Sequence, residues 1–284
     1  MIHLFFIGFS IICVLPLIMV ISASLTSEMD LANYGFSLFP RKISFEAYNY
    51  LFKHPNVVIN AYKVTIFTTV VGTFLSVLFM SMTAYCLARS NFKFKGLLTF
   101  FIFFPYLFNG GLVPSYIINT KYLRLGDNIL VLIVPGLISV FYIIMIRTFF
   151  KQISESLFEA AKIDGASEYR IFFQIALSLS KPVLATVAFL GALGRWNEWY
   201  SAMLYIRNDD LIPIQYLLQR MMMNIQAVLD AMDHAPNSGV SWQDIPSENL
   251  RMAMLVVAIG PMLMFFPFFQ KYFTKGLTMG SVKG

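Results

Sequence analysis

A short cluster of polar and aromatic side chains lies within a long apolar run, centred on Arg195. Arg195 and Glu198 are three residues apart, so on a helix they share one face and can neutralise each other. The side chains around this pair are Trp196, Asn197, Trp199 and Tyr200. Aromatic faces with a few polar groups line many small-molecule sites, and this combination suits a sugar. A structural ion pair flanked by interfacial aromatic residues is the other interpretation, and the sequence leaves both open.

No set of residues in the sequence is arranged for catalysis or for metal binding. The three histidines, His3, His54 and His234, are far apart in the sequence and form no Ser/His/Asp set. Cys13 and Cys86 lie inside apolar runs and show no metal-ligand spacing. A phosphate-binding loop of the GxxxxGK[ST] kind is absent as well. We therefore predict a protein that is not itself an enzyme and that binds no metal and no cofactor of its own.

A second polar region, "EAAKIDGASEYRIFFQIALSLSKP" at 159–182, separates two apolar runs. Ser156 followed by Glu159 fits a capping box at the start of a helix. Gly165 is placed to end that helix, because glycine tolerates the left-handed conformation found there. Ala160 and Ala161 are small enough to let this helix approach another surface closely. The segment is therefore either a docking element, or a capped helix whose charges are solvated beside lipid headgroups.

The residues after Gly165 predict a second helix. Apolar side chains recur every four residues, at Ile171, Ile175 and Leu179. That spacing gives one apolar face, typical of a helix that lies on a membrane surface. Pro182 then suits the first turn of a further helix.

Composition indicates that these polar segments belong to a membrane protein. Of the 284 residues, 58% are hydrophobic and only 13% are charged, against about 25% in a typical soluble domain. A spanning helix needs about 20 apolar residues. We predict one all-α, polytopic membrane domain over residues 1–284 with six transmembrane helices, at 2–24, 64–87, 97–119, 128–147, 182–204 and 252–270.

The charged loops predict the orientation of these spans. The loop at 88–96 contains three basic residues and no acid, and the tail after residue 270 is also basic. Short basic loops stay on the cytoplasmic side, which places both termini and the 151–181 loop there. Orientation also explains the excess of 21 Lys+Arg over 15 Asp+Glu, so we expect contact with membrane lipid and not with nucleic acid. The 25–60 and 205–250 segments then lie outside.

Two of the predicted spans have unusual features. The first, at 2–24, is longer than the apolar core of a signal peptide and has no Lys or Arg before position 41. We interpret it as a true span and expect a short basic segment before it. The third is interrupted by Pro105, Asn109, Gly110, Gly111 and Pro114. Irregular backbone at membrane depth lines a cavity or is buried in protein, so Asn109 and Tyr116 are candidates for a substrate path.

The polar loop resembles a known family motif. Glu159-Ala160-Ala161, three residues, Gly165, nine residues, then Ile175-Ala176-Leu177 is similar to the EAA motif of binding-protein-dependent ABC importer permeases. Ser178 stands where that family usually has proline, which puts only the local kink in question because Pro182 follows. "TAYCLARSNFKFKG" (83–96), "WNEW" (196–199) and "KGLTMGSVKG" (275–284) resemble segments of maltose-type sugar permeases. "NGGLVPSYI" (109–117) and "IRTFF" (146–150) are similar to a subgroup for oligosaccharides that includes lipoprotein-anchored and alginate-type systems.

This resemblance implies a function and a set of partners. It implies a type I ABC importer fold and the import of an oligosaccharide, one that could be acidic, through a path that includes the residues around Arg195. The partners implied are a second homologous permease subunit, two ATPase subunits that hold ATP and Mg²⁺, and an extracytoplasmic solute-binding protein. The residues implied to couple this chain to an ATPase are Glu159, Ala160, Ala161, Asp164 and Gly165.

The resemblance also assigns a role to the 205–250 segment. Other classes of protein are alternatives to an importer permease. Part of this segment, with a predicted helix at 217–233 and a polar loop at 234–249, is implied to enter the binding protein. The alternatives are a permease for a solute other than a sugar, a secondary transporter and a membrane enzyme. The last two leave the EAA spacing unexplained.

Overall fold

The computed structural model describes residues 2–53, 55–89, 92–108, 110–234 and 248–279. Within these ranges the regular structure is helical and no β-strand forms, which confirms the all-α class. The α-helices are α1 (Ile2–Ser24), α2 (Glu28–Tyr34), α3 (Glu46–Leu51), α4 (Pro55–Ala88), α5 (Lys95–Leu107), α6 (Leu112–Ile117), α7 (Val140–Phe150), α8 (Glu155–Ile163), α9 (Glu168–Arg170), α10 (Leu177–Leu179), α11 (Lys181–Trp196), α12 (Tyr200–Tyr205), α13 (Ile214–His234) and α14 (Glu248–Met279). Two π-helical segments (Ile118–Tyr122 and Ile171–Ala176) and two 3₁₀ turns (Ile129–Leu132 and Asp209–Leu211) complete the order.

Three helices in the described residues are long and apolar enough to cross a membrane by themselves: α1, α4 and the Glu248–Phe265 part of α14. Two bent pairs pass the same test together, α5 with Leu112–Tyr122 and Glu168–Leu179 with α11, which gives up to five spans. The helix α7 is apolar but has only 11 residues. A membrane-spanning helix needs about 20 residues, so length and composition alone do not give the sixth span.

The predicted span at 128–147 is wrong as one continuous helix. The backbone forms a 3₁₀ turn at Ile129–Leu132, runs through non-helical residues, and becomes α-helical again only at Val140. Pro135 and Gly136 lie in the gap, where proline supplies no amide donor and glycine favours turns. This break leaves the carbonyl groups of Leu132 and Gly136 within hydrogen-bond distance of Arg195.

Two other predicted spans also contain breaks. The 182–204 run divides into α11, which ends at Trp196, and α12, which starts at Tyr200. The 97–119 run divides between α5 and α6, as its glycines suggested, and Gly111 takes a φ of +85° at the start of α6. Asn109 lies outside the described residues.

The contacts within the chain divide it into two compact units. The first comprises Met1–Tyr62 and Pro213–Met264, and the second Lys63–Ile212 and Phe265–Gly284. In the first unit the carboxylate of Glu28 accepts hydrogen bonds from the backbone amides of Glu248 (3.2 Å) and Asn249 (3.1 Å). A negative charge at this position satisfies amides that the helix itself leaves unpaired and complements the dipole of α14.

The core of the second unit positions the polar loop. Its buried side chains come from α4, α7, α8, the π-helical segment and α11, and they are Met80, Ala84, Tyr85, Leu87, Ile143, Ile146, Phe150, Phe158, Ile171, Phe172, Ala176, Val183 and Val187. The loop helices are therefore packed on the same apolar core as the long helices. Burial of this apolar surface holds the loop to the body of the unit.

Candidate functional site: the polar loop and the cavity at Arg195

The first loop helix, α8, begins earlier than the capping-box prediction places it. Ser154 is its N-cap, so Ser156 lies inside the first turn and the predicted box of Ser156 with Glu159 does not form. The Ser154 hydroxyl contacts the Ser156 hydroxyl at 2.7 Å and caps no backbone amide. Glu155 occupies the first turn, where its negative charge favours the helix start.

Glu159 consequently lies in the middle of α8 and is exposed. Its carboxylate makes no hydrogen bond or ion pair with any part of the chain that the structure describes. Ala160 and Asp164 are exposed as well, and Ile163 is 86% exposed. Ala161 is half-buried against the core cluster, so of the two small residues only Ala160 presents its full side chain. The outer side of α8 thus carries an exposed carboxylate, without a hydrogen-bond or ion-pair partner among the described residues, beside small and apolar groups.

Gly165 ends α8, which confirms the prediction made for it. Its φ is +76°, its amide donates to the Lys162 carbonyl at 3.0 Å, and the Ala166 amide donates to the Ala161 carbonyl at 2.9 Å. This pair of bonds is the Schellman motif, which satisfies the last carbonyls of a helix and requires a left-handed residue. The geometry explains the glycine from local backbone conformation alone.

The inner side of α8 is anchored by Phe158, which is only 5% exposed. Its ring meets Tyr85 of α4 edge-on at 6.3 Å between centroids. The guanidinium of Arg89, just after α4, lies 4.5 Å from the centre of the Phe158 ring. Aromatic and cation–π contacts of this kind add to the burial energy, so α8 is held against the end of α4.

Sequence reasoning missed a carboxylate that becomes the centre of an ion-pair cluster. Glu168 accepts a hydrogen bond from the Tyr85 hydroxyl at 2.7 Å, and its other oxygen lies 2.6 Å from Lys162 Nζ and 3.8 Å from Arg89 Nη2. Partial burial raises the pKa of Glu168. The hydrogen bonds from Lys162 and Tyr85 and the nearby positive charges lower this pKa by more than burial raises it, so the pKa lies below its usual value. In the sequence Glu168 looks like any other charge of the loop.

The second loop helix differs from the predicted amphipathic helix. Residues 171–176 are π-helical, so the buried side chains are Ile171, Phe172 and Ala176. Of the three residues predicted to share one apolar face, Ile171 is buried whereas Leu179 is 55% exposed. A π-helical turn closes i→i+5 bonds and shifts which residues share a face, which a spacing of four cannot reproduce. Despite Ser178 in place of proline, the chain still bends by 81° between Leu179 and Lys181, and Pro182 lies in the first turn of α11 as predicted.

The predicted ion pair between Arg195 and Glu198 does not form. Arg195 Nη2 donates to Ser76 Oγ at 2.6 Å and to the Gly136 carbonyl at 2.7 Å, and Nη1 donates to the Leu132 carbonyl at 3.4 Å. Glu198 instead accepts from the Ser201 amide at 2.8 Å. The break before α7 leaves the Leu132 and Gly136 carbonyl groups without a hydrogen bond of the kind made inside a helix. Such groups need a donor, and the Arg195 guanidinium supplies it.

A cavity of about 220 Å³ lies at this arginine, lined by residues that include Ser76, Tyr142, Arg195 and Glu198. The other predicted path residues are outside its lining. Trp196 is buried, and the Asn197 side chain donates back to the Leu193 carbonyl at 2.8 Å. Trp199 meets Tyr200 edge-on at 5.8 Å, and Tyr116 stacks on Tyr205 at 5.5 Å. Asn109 lies outside the described residues.

The described residues contain no group of three or more His, Cys, Asp and Glu side chains that could hold a metal ion. The 205–250 segment contains α13, which covers the predicted helix at 217–233. Residues 235–247, most of its predicted polar loop, lie outside the described residues.

Comparison with known proteins identifies the family. A family model described as "Binding-protein-dependent transport system inner membrane component" matches residues 64–279. The chain belongs to this family. The permease is 39% identical over 283 residues to protein LplC of Bacillus subtilis, covering 99% of this chain and 93% of that protein. It is 38% identical to the polygalacturonan/rhamnogalacturonan transport system permease protein YtcP of the same organism, covering 100% and 97%.

A solved structure supports the fold of the permease. A chain of a bacterial ABC transporter involved in the import of the acidic polysaccharide alginate superposes with a TM-score of 0.80 at 30% sequence identity. The match covers 96% of this permease and 95% of that chain. The resemblance recognised from the EAA spacing is thereby confirmed at the level of family and fold.

Proposed function

We propose that this permease is a membrane subunit of an ATP-driven importer that moves an oligosaccharide across the cytoplasmic membrane. The observation that carries the coupling part is the outer side of α8, where Ala160 and Ile163 are exposed together with Glu159. Within the described residues the Glu159 carboxylate makes no hydrogen bond or ion pair. An oligosaccharide substrate is supported by the names of two similar proteins, the polygalacturonan/rhamnogalacturonan permease YtcP and the importer of the acidic polysaccharide alginate.

In this proposal α8 docks on an ATPase subunit. Glu159 pairs with a basic residue of the ATPase, Ala160 fits closely against its surface, and Gly165 with Asp164 ends the helix so that the chain can turn back. Phe158 holds α8 to α4, so displacement of α8 moves the long helix with it as a rigid body. ATP and Mg²⁺ are bound by the two ATPase subunits, and a second permease subunit and a solute-binding protein complete the importer.

The membrane topology that fits this role has six spans. They are α1, α4, the broken α5–α6 segment, the region from Ile129 to Phe150, α11 with α12, and α14. Both termini and the 151–181 loop are then cytoplasmic, as the basic loops favour. The 205–250 segment, with α13, faces the solute-binding protein.

The substrate path in this proposal includes the cavity at Arg195, but Arg195 has a structural part in it. Three hydrogen bonds hold its guanidinium to Ser76 and to two backbone carbonyls, so three of its five N–H groups serve the structure of the cavity and two remain for an acidic sugar. Of the other predicted path residues, Glu198 lines the same cavity and carries a carboxylate that can contact a sugar hydroxyl. Asn197, Trp199 and Tyr116 lie outside this lining.

The test of the coupling role measures uptake and ATP hydrolysis by the reconstituted importer, with and without loaded binding protein. Glu159→Ala and Gly165→Pro are compared with the native chain. Proline at 165 removes the amide that donates to Lys162 and cannot adopt a φ of +76°. We expect both variants to lose stimulated hydrolysis and uptake, either with the complex assembled or with the ATPase detached.

The matched control is Glu46→Ala, which removes an exposed carboxylate of α3 that makes no contact within the described residues. It should leave uptake unchanged. Native uptake in both loop variants would show that α8 is not the coupling element, and the proposal would fail.

A further inference from the structure

We propose that Glu168 is a positioning residue that fastens α8 to α4, so that movement of the docked helix is transmitted to the membrane-spanning helix. The inference rests on the proposed function, because it assumes that α8 is the element displaced by the ATPase. Nothing in the EAA spacing assigns a role to this residue.

The geometry gives one carboxylate two hydrogen-bond donors and a further positive charge, from different parts of the chain. One oxygen accepts the hydroxyl proton of Tyr85, which is in α4 and 83 residues earlier in the sequence. The other oxygen is shared by Lys162 of α8 at 2.6 Å and by Arg89 at 3.8 Å. Glu168 is itself the first residue of α9. The single side chain therefore connects α8, α9 and the end of α4.

The bond between Lys162 and Glu168 spans the turn between α8 and α9. Between α8 and α9 the backbone turns at Gly165, and the chain from there to Ser167 is largely exposed. The Schellman bonds end α8 but do not reach α9, and Ser167 only caps the start of α9 through the Arg170 amide. The bond from Lys162 to Glu168 spans this turn and limits the angle between the two helices.

The two loop glutamates therefore have opposite roles. Both oxygens of Glu168 are engaged by donors of this chain, so it offers little to a partner. The carboxylate of Glu159 is exposed and makes no contact within the described residues, so it is available to a partner. One residue docks the loop and the other determines how the docked loop is held.

Stability alone does not account for the cluster. The Glu168 side chain is 51% exposed and that of Lys162 is 45% exposed, and ion pairs at this exposure contribute little to the free energy of unfolding. Phe158 attaches α8 to the core through its buried contact with Tyr85, but burial of apolar surface is a non-directional interaction. Directional bonds to two sides of one carboxylate fix the orientation that the apolar contact leaves free.

The test measures the ratio of ATP hydrolysed to solute imported by the reconstituted importer. Glu168→Gln keeps an acceptor for Tyr85 but loses the charge that holds Lys162 and Arg89. We expect the ATPase to stay bound and stimulated hydrolysis to persist while uptake falls. The ratio should rise about fivefold or more, the lower end of typical coupling between sites. Tyr85→Phe should raise the ratio as well, and the double variant should add little because both changes release the same carboxylate.

The matched control is Glu46→Gln, which makes the same chemical change at an exposed carboxylate of α3 and should leave the ratio at the native value. A native ratio in Glu168→Gln would overturn the proposal. So would a parallel loss of hydrolysis and uptake with a lower unfolding temperature, because Glu168 would then only help the loop to fold. If Glu159→Ala in the same experiment has no effect, the docking role of α8 fails instead. If Glu159→Ala abolishes uptake and Glu168→Gln does nothing, only the positioning role fails.

Discussion

Substitution of Gly72 by alanine tests how tightly Arg195 is held. A Cβ atom at position 72 would lie 2.6 Å from Arg195 Nη1 and 2.9 Å from its Cζ, so the guanidinium must move by roughly 1 Å to reach an ordinary contact distance. That movement breaks the bonds to Ser76 and to the Gly136 carbonyl. Each bond to a charged group contributes about 1.5 kcal/mol or more, for a loss of about 3 kcal/mol. Alanine regains about 1 kcal/mol through its better helix propensity, so the net destabilisation should be about 2 kcal/mol.

The assay is thermal unfolding of the purified complex in detergent, followed by intrinsic fluorescence. A loss of about 2 kcal/mol corresponds to a fall of about 5 °C in the unfolding temperature for a domain of this size. The matched control is Gly191→Ala, one turn before Arg195 in α11, where a Cβ would meet nothing within 4 Å. That variant should be unchanged or slightly more stable, because alanine reduces the entropy of the unfolded chain.

Removal of Arg195 tests whether Gly72→Ala destabilises the protein by displacing this guanidinium or by steric clash with other neighbours. Arg195→Ala alone should be destabilising, because the Leu132 and Gly136 carbonyls lose their donor. In that background Gly72→Ala should no longer be destabilising, because the group it displaces is gone. An equal loss of stability with and without Arg195 would refute the reasoning, and so would a Gly72→Ala variant that unfolds at the native temperature.

Two further predictions concern carboxylates outside the long apolar helices. Glu28→Gln removes the negative charge at the start of α14, worth about 0.3–1 kcal/mol, so the amides of Glu248 and Asn249 should exchange their hydrogens about two- to fivefold faster; an unchanged rate would contradict the capping role. For Glu168 the folded pKa is lowered, so its contribution to stability is complete above the unfolded value of about 4.3 and is lost as the pH falls through the lower folded value. The difference in unfolding temperature between native protein and Glu168→Gln should be constant from pH 8 to about pH 5 and shrink below about pH 4; growth of the difference in acid would reverse the assigned sign.

The sequence predicts those parts of the fold that depend on local composition. Apolar runs of sufficient length correspond to α1 and α4, and the helix at 217–233 lies within α13. The break near 109–111 was readable from its glycines, and Pro135 with Gly136 carries the same kind of signal within the run at 128–147. The break after Trp196 is harder to predict from the sequence. At the end of α11 the Asn197 side chain donates to the Leu193 carbonyl, and the segment "WNEW" does not indicate that bond.

In the candidate site as well, features set by a few consecutive residues could be predicted and long-range contacts could not. Gly165 could be assigned because a left-handed residue at a helix end is a property of a few consecutive residues. The cluster at Glu168 could not, since Tyr85 and Arg89 are about 80 residues away in the sequence and nothing local marks them as neighbours. The capping-box prediction was wrong because α8 starts two residues earlier than the box requires, with Ser154 and not Ser156 as its N-cap.

The predicted ion pair between Arg195 and Glu198 was wrong because Arg195 binds backbone carbonyl groups instead. The spacing of three residues suggested Glu198 as its partner, because only near neighbours can be inferred from a helical pattern. The competing acceptors arise from a broken helix some 60 residues earlier, where Leu132 and Gly136 leave carbonyl groups inside the unit. Unpaired carbonyls at membrane depth are severely destabilising, and a guanidinium has enough donors to satisfy two of them and a hydroxyl at once. Arg195 thus compensates for the irregular backbone beside the cavity, which leaves Glu198 free of an ion pair with it and within the cavity lining.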